Sequence, residues 1–111
     1  MNQMNSKSCI DACTRCAEAC DVCTAACLQE SDIAAMRKCL ALTIDCAQMC
    51  RLAAALMARQ SDYALALCRV CADICKTCGD ECNKHHHEHC QNCAMACLNC
   101  ALYCENMAAS A

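Results

Sequence analysis

Residues 9–27 read CIDACTRCAEACDVCTAAC, with cysteine at 9, 13, 16, 20, 23 and 27. The intervals alternate between four and three residues. Their mean of about 3.5 is the period of an α-helix whose seam faces a helical partner. A helix built on this stretch carries only thiols where a bundle ordinarily keeps Leu and Ile. The pattern returns at Cys68, Cys71, Cys75, Cys78 and Cys82, and again at Cys90, Cys93, Cys97, Cys100 and Cys104. Three helices lined in this way predict an all-α fold with a cysteine-lined core.

The rest of the chain fits around those helices. At 111 residues it is long enough for one small domain, a single Cys-rich unit over 1–111, and too short for two. Predicted helices cover about 6–29, 32–59, 61–83 and 88–107, with Ser6 or Ser8, then Ser31 or Asp32, then Ser61-Asp62 as N-terminal caps. Gly79, the one glycine, lies too early to terminate the third helix and reads as a point of close approach by a neighbour. Four helices joined by short turns predict an antiparallel up-down-up-down four-helix bundle. The first turn and the segment Lys84-His85-His86-His87-Glu88-His89 then share one end, where Met36, Cys39, Cys27 and Cys82 also gather.

The second helix differs from the others. Its thiols are Cys39, Cys46 and Cys50, with Met36, Thr43, Ala53 and Met57 in the remaining seam positions. A further apolar set, Leu42, Met49, Leu52 and Leu56, lies about 60 to 140° round the helix at 100° per residue. Such breadth serves either a subunit interface or a wide internal core face.

Nineteen cysteines in so short a chain first suggest a secreted disulfide scaffold. The count is odd, and Met1 to Lys7 has no apolar run of a signal peptide. Helical neighbours at i and i+4 also hold their Cβ atoms about 5 to 6 Å apart, whereas a disulfide needs about 3.5 to 4.5 Å. Reduced thiols and a cytoplasmic protein are expected. A net charge of -3 without a basic stripe argues against nucleic acid. Apolar stretches interrupted by charged or amide side chains argue against a membrane span.

Eight CxxxC pairs place two thiols one turn apart on a shared face: 9/13, 16/20, 23/27, 46/50, 71/75, 78/82, 93/97 and 100/104. Each can clamp one soft ion, and Cys39, Cys68 and Cys90 remain as third or cross-helix ligands. The CxxC spacings follow from the same heptads. They lack the Gly or Pro turns of zinc and iron-sulfur sites and the βαβ setting of a redox pair.

Charge selects the metal. Four thiolates on Zn(II) leave two negative charges, and several such buried sites are costly to desolvate. Cu(I) is monovalent, soft and satisfied by two or three sulfurs. Roughly one Cu(I) per cysteine therefore leaves the array near neutral, with many ions per chain. Empty, the thiols stay protonated and act as small apolar side chains, so the bundle folds without metal. At the His-rich end, His89 precedes Cys93 by four residues and His86 precedes Cys90 by four. Together with His85, His87 and Met36 they are candidate metal ligands at a mouth of the bundle.

The whole pattern resembles the copper storage proteins of the Csp family, in the branch without an export signal. It is carried by the CxxxCxxC series of the first helix, the sparser Cys39, Cys46 and Cys50, CRVCADICKTCGDEC at 68–82 and KHHHEHCQNCAMACLNCALYC at 84–104. The resemblance implies a four-helix bundle storing many Cu(I) ions on cysteine, a homotetramer, copper donor or acceptor proteins as partners, a cytosolic storage or detoxification role in bacteria, and His residues that help copper in. Here the loop is a continuous His tract that singles out no one ligand. Two other functions compete. A thiol oxidoreductase needs an exposed low-pKa thiol, and a Zn/Cd buffer of metallothionein type must hold divalent ions against Cu(I). The leading reading is a binding protein, not an enzyme.

Overall fold

The structure, a computed structural model, describes residues 3–110. Four long helices succeed one another: α1 (Gln3–Cys27), α2 (Arg37–Ala58, entered through a 3-10 turn at Ile33–Met36), α3 (Ala64–Cys82) and α4 (Glu88–Ala109). α1 packs on α2 and α4, and α3 on α2 and α4, which closes the square of an up-down-up-down bundle. The result is a rod of 45 × 18 × 17 Å.

Helix ends depart from the sequence expectations in local ways. Ser6 and Ser8 lie inside α1, which is already helical from Gln3. The first cap that holds is Asp32, whose side chain accepts from the Ala35 N–H at 3.2 Å and starts the 3-10 turn. α1 ends at Cys27, because the amides of Gln29 and Glu30 tighten onto the carbonyls of Ala26 and Cys27. Ser61 caps a turn, not a helix: its Oγ accepts from the Tyr63 N–H at 3.1 Å, and α3 begins at Ala64. α2 closes with Gln60 at φ 53°, while the Ser61 amide reaches back to the Leu56 carbonyl at 2.9 Å. This is the six-to-one bond of a Schellman ending. α4 runs on to Ala109, beyond the expected 107.

The core has an unusual composition. Every cysteine is buried, and the other buried apolar side chains among the described residues are Ala and Met alone. Small side chains at the interfaces let the four backbones close round the sulfurs. Gly79 shows how close: a Cβ there would lie 2.8 Å from Leu98 Cγ and Cδ2 and 3.3 Å from Cys97 Cβ. The close approach read from the sequence is thus made by α4.

On α2, Leu42, Met49 and Leu56 pack half-buried on the core, while Leu52 and Ile44 are each 44 % exposed. Its broad apolar face is therefore partly internal and partly free. By length and composition the segment Ile33–Ala58 reaches what a membrane span requires, contrary to the expectation of early interruption. In the structure its thiol seam is buried against α1 and α3.

Candidate metal centre

All nineteen sulfurs face one another inside the rod, each cysteine at 0 % exposure and none in a disulfide. The heptad register explains this, since each Cys occupies a position that turns to the bundle axis. Within helices, 23/27, 46/50, 71/75, 93/97 and 100/104 bring their sulfurs to between 3.7 and 4.0 Å. Between helices, Cys16 lies 3.8 Å from Cys46 and 3.6 Å from Cys97, and Cys39 lies 3.4 Å from Cys82. Diagonal contacts complete the network: Cys16 to Cys75, Cys46 to Cys97 and Cys50 to Cys100, each at 4.0 Å.

These separations match what a metal needs. With a metal–thiolate bond of about 2.3 Å, the zinc value, sulfurs sit about 4.0 Å apart round a trigonal ion and about 4.6 Å across a linear one. Quartets whose sulfurs all lie within 4.8 Å recur along the axis. They include Cys13/Cys71/Cys100/Cys104, Cys16/Cys46/Cys50/Cys75, Cys20/Cys78/Cys93/Cys97 and Cys23/Cys27/Cys39/Cys90. Two- and three-coordinate ions fit between sulfurs already in place.

Electrostatics favours a low ionic charge. Burial pushes the Cys90 thiol up to about 12, with the nearby Cys39 and Cys27 adding to the effect, and burial likewise raises Cys27. Hydrogen bonds from Cys23 and Cys82 pull Cys39 down to about 3 against its burial. Deeper in, Cys46 is lowered by its neighbours Cys16 and Cys20, and Cys100 by Cys104 and Cys13. A thiolate in this array is held chiefly by S–H donors, with His85 adding a smaller pull at Cys39.

The His-rich end is ordered around His89. Its Nδ1 faces Cys23 at 3.4 Å, Cys90 at 3.5 Å and Cys27 at 3.9 Å. Its Nε2 lies 3.1 Å from Glu30 Oε1. A carboxylate only accepts, so Nε2 carries a proton, and in the neutral ring the lone pair on Nδ1 is turned to the thiols. The expected i, i+4 couple of His89 with Cys93 is replaced by these contacts across the bundle.

The other candidates are placed elsewhere. α4 starts only at Glu88, so His86 is exposed outside it and makes no helical couple with Cys90. His85 Nε2 bonds Glu81 Oε2 at 3.1 Å, and His87 Nδ1 comes within 3.5 Å of Glu30 Oε1. Met36 is buried at 2 % exposure. Sequence reasoning missed Glu30 and Glu81, the carboxylates that orient these rings. The four-residue spacing of Glu81 and His85 was a readable signal; the pairing of Glu30 with a ring from a distant helix was not.

Comparison with known proteins fits this geometry. A family model described as copper storage protein matches residues 2–109. The Cu(I)-bound copper storage protein BsCsp3, from Bacillus subtilis, is 45 % identical and superposes with a TM-score of 0.90, covering 94 % of this chain and 98 % of that one. A cytosolic copper storage protein from Streptomyces lividans with five coppers is 40 % identical with a TM-score of 0.93, covering 96 % and 94 %. The uncharacterized cysteine-rich protein YhjQ of Bacillus subtilis (strain 168) is 46 % identical over 69 residues, which is 62 % of this chain and 64 % of that protein's length.

Proposed function

This chain belongs to the copper storage protein family, and we propose that it is a high-capacity cytosolic store for Cu(I) whose nineteen cysteines are the ligands. The observation that carries the reading is the sulfur network itself, with partners on all four helices at 3.4 to 4.0 Å. Nothing in such an interior distinguishes one catalytic pair. A thiol oxidoreductase needs an accessible thiolate, and each thiol here is fully buried. A Zn(II) or Cd(II) buffer would leave net negative charge in a core where, among the described residues, no Lys or Arg is buried.

Copper enters at the His-rich end. His89 Nδ1, Cys23, Cys27 and Cys90 converge there, and a soft ion held among them passes inward by exchanging one sulfur for the next. Each Cu(I) displaces about one proton from its thiols, so the filled core stays near neutral. Exposed Ile44 and Leu52 on α2 with Met95 and Leu102 on α4 supply apolar surface for a homo-oligomer, a tetramer by family resemblance. Copper donor and acceptor proteins would meet the His-rich end.

An anaerobic Cu(I) titration of the reduced protein against a colorimetric chelator tests this. Uptake approaching the count of nineteen cysteines, by a chain already helical when empty, supports storage. Saturation at a single ion or a pair overturns it.

A further inference from the structure

A groove of about 600 Å³ lies between α1 and α4, within the size range of small-molecule sites. Arg15, Glu18 and Val22 of α1 form one wall, and Glu88, His89 and Asn92 of α4 the other. One of these residues also reaches the core. His89 keeps 15 % side-chain exposure, yet its Nδ1 is 3.4 Å from Cys23 Sγ and 3.5 Å from Cys90 Sγ. The axial end of the bundle is instead crossed by residues 83–87, which are tied down on three sides. Gln91 Nε2 donates to the carbonyls of His85 at 2.6 Å and Asn83 at 3.4 Å. His85 Nε2 bonds Glu81 Oε2 at 3.1 Å, and His87 Nδ1 lies 3.5 Å from Glu30 Oε1. The side groove therefore leads to the first thiols without any movement of this segment.

We infer that the groove is the docking site of the copper carrier, a small Cu(I) thiolate complex bearing both a carboxylate and an ammonium group. The wall charges select that class. The Arg15 guanidinium suits a carboxylate, and the Glu18 and Glu88 carboxylates suit an ammonium. Among the described residues, no ion pair engages any of the three. Val22, 58 % exposed, offers apolar surface to the carrier's methylenes. From the groove the ion passes to the thiols behind His89 by ligand exchange, with no change of oxidation state. Each Cu–S bond to the carrier breaks as one to a protein sulfur forms, and the departing carrier thiolate takes the proton which that thiol gives up. The inference rests on the storage reading above and adds to it the point of entry and the chemistry of the carrier.

Four carriers of different charge test it: the Cu(I) complexes of cysteine, mercaptopropionate, cysteamine and mercaptoethanol. Reduced metal-free protein is mixed with each under nitrogen at about 0.15 M salt, which screens long-range steering. Loading is followed by the luminescence of solvent-shielded copper–thiolate clusters, and each carrier's rate is compared between wild type and variant. Arg15→Gln should slow cysteine and mercaptopropionate about two- to fivefold, the worth of one exposed ion pair, and leave the other two unchanged. Glu18→Gln combined with Glu88→Gln should slow cysteine and cysteamine alone. Val22→Trp, which fills the groove, should slow all four and leave the final Cu(I) capacity unaltered. Charge variants that slow all four carriers equally, or rates that no variant changes, overturn the docking site. Wild type that saturates at a single ion or a pair overturns the storage reading instead, and the carrier preference of that first ion still reports on the groove.

Discussion

The hydroxyls of Thr24 and Thr43 meet at 2.7 Å across the α1–α2 interface. Thr43 is fully buried and stands in the α2 seam between Cys39 and Cys46, where the register calls for a thiol. Its hydroxyl is a hard donor that Cu(I) does not select, so the file of sulfurs on α2 is broken at that level. Thr43→Cys should raise capacity by about one Cu(I) per chain. It should also cost the empty protein about 1 kcal/mol for the lost hydroxyl pair. Chelator competition and thermal unfolding measure the two effects, and an unchanged capacity would show that loading is set by something other than sulfur count.

Proton release follows from the thiol pKa values. Cys90 stands at about 12 and Cys27 is raised, so both are protonated at neutral pH and must lose protons to bind metal. Lower pH makes that loss harder, so copper affinity falls with pH. The apparent Kd for an ion displacing one proton should rise about tenfold per unit of acidification. In weakly buffered solution near pH 7, an indicator dye should register close to one proton per Cu(I), less the share from thiols already ionised, such as Cys39 at about 3. Release well below this would mean the empty array holds many thiolates already.

Much of this was legible in the sequence because one feature did double duty. The 3.5-residue spacing of Cys9 to Cys27 set both the helix and the face that carries the ligands, so fold and site were read together. The Gly79 approach was readable too, since a lone glycine inside a helix needs a neighbour to explain it. The orientation of His89 was not. It depends on Glu30, fifty-nine residues away, and on α4 starting at Glu88 rather than early enough to carry His86. Caps fared poorly: Ser6 and Ser61 are good caps by type, but Ser6 lies inside α1 and Ser61 closes a turn three residues ahead of α3.

Gln60 holds φ 53° at the C-terminal end of α2, a left-handed conformation that disfavours side chains and suits glycine. Gln60→Gly should therefore stabilise the empty protein by about 1 kcal/mol, which thermal unfolding would show as a higher Tm with copper capacity unaltered. The gain is reduced by the extra freedom glycine has in the unfolded chain. A lower Tm would mean that this freedom outweighs the relief of the left-handed strain.

Glu81 supplies a pH test of stability at the opposite side of the mouth from Glu30. Its side chain is 11 % exposed and lies 3.1 Å from His85 Nε2, 3.4 Å from Lys84 Nζ and 3.7 Å from Lys38 Nζ. Burial by itself would raise its pKa. The His85 hydrogen bond and the two lysines outweigh burial and hold the carboxyl below the usual carboxylate range. A folded pKa below the unfolded value of about 4.3 means the charged form stabilises the fold. That contribution is complete above the unfolded pKa and disappears as pH drops through the folded one. Wild type should thus exceed Glu81→Gln by about 1 to 2 kcal/mol at pH 7. The difference should shrink below about pH 4.3 and vanish in stronger acid. Thermal unfolding of both metal-free proteins across that range checks it. A difference that persists unchanged at the acid end would assign Glu81 a packing role in place of an ionic one.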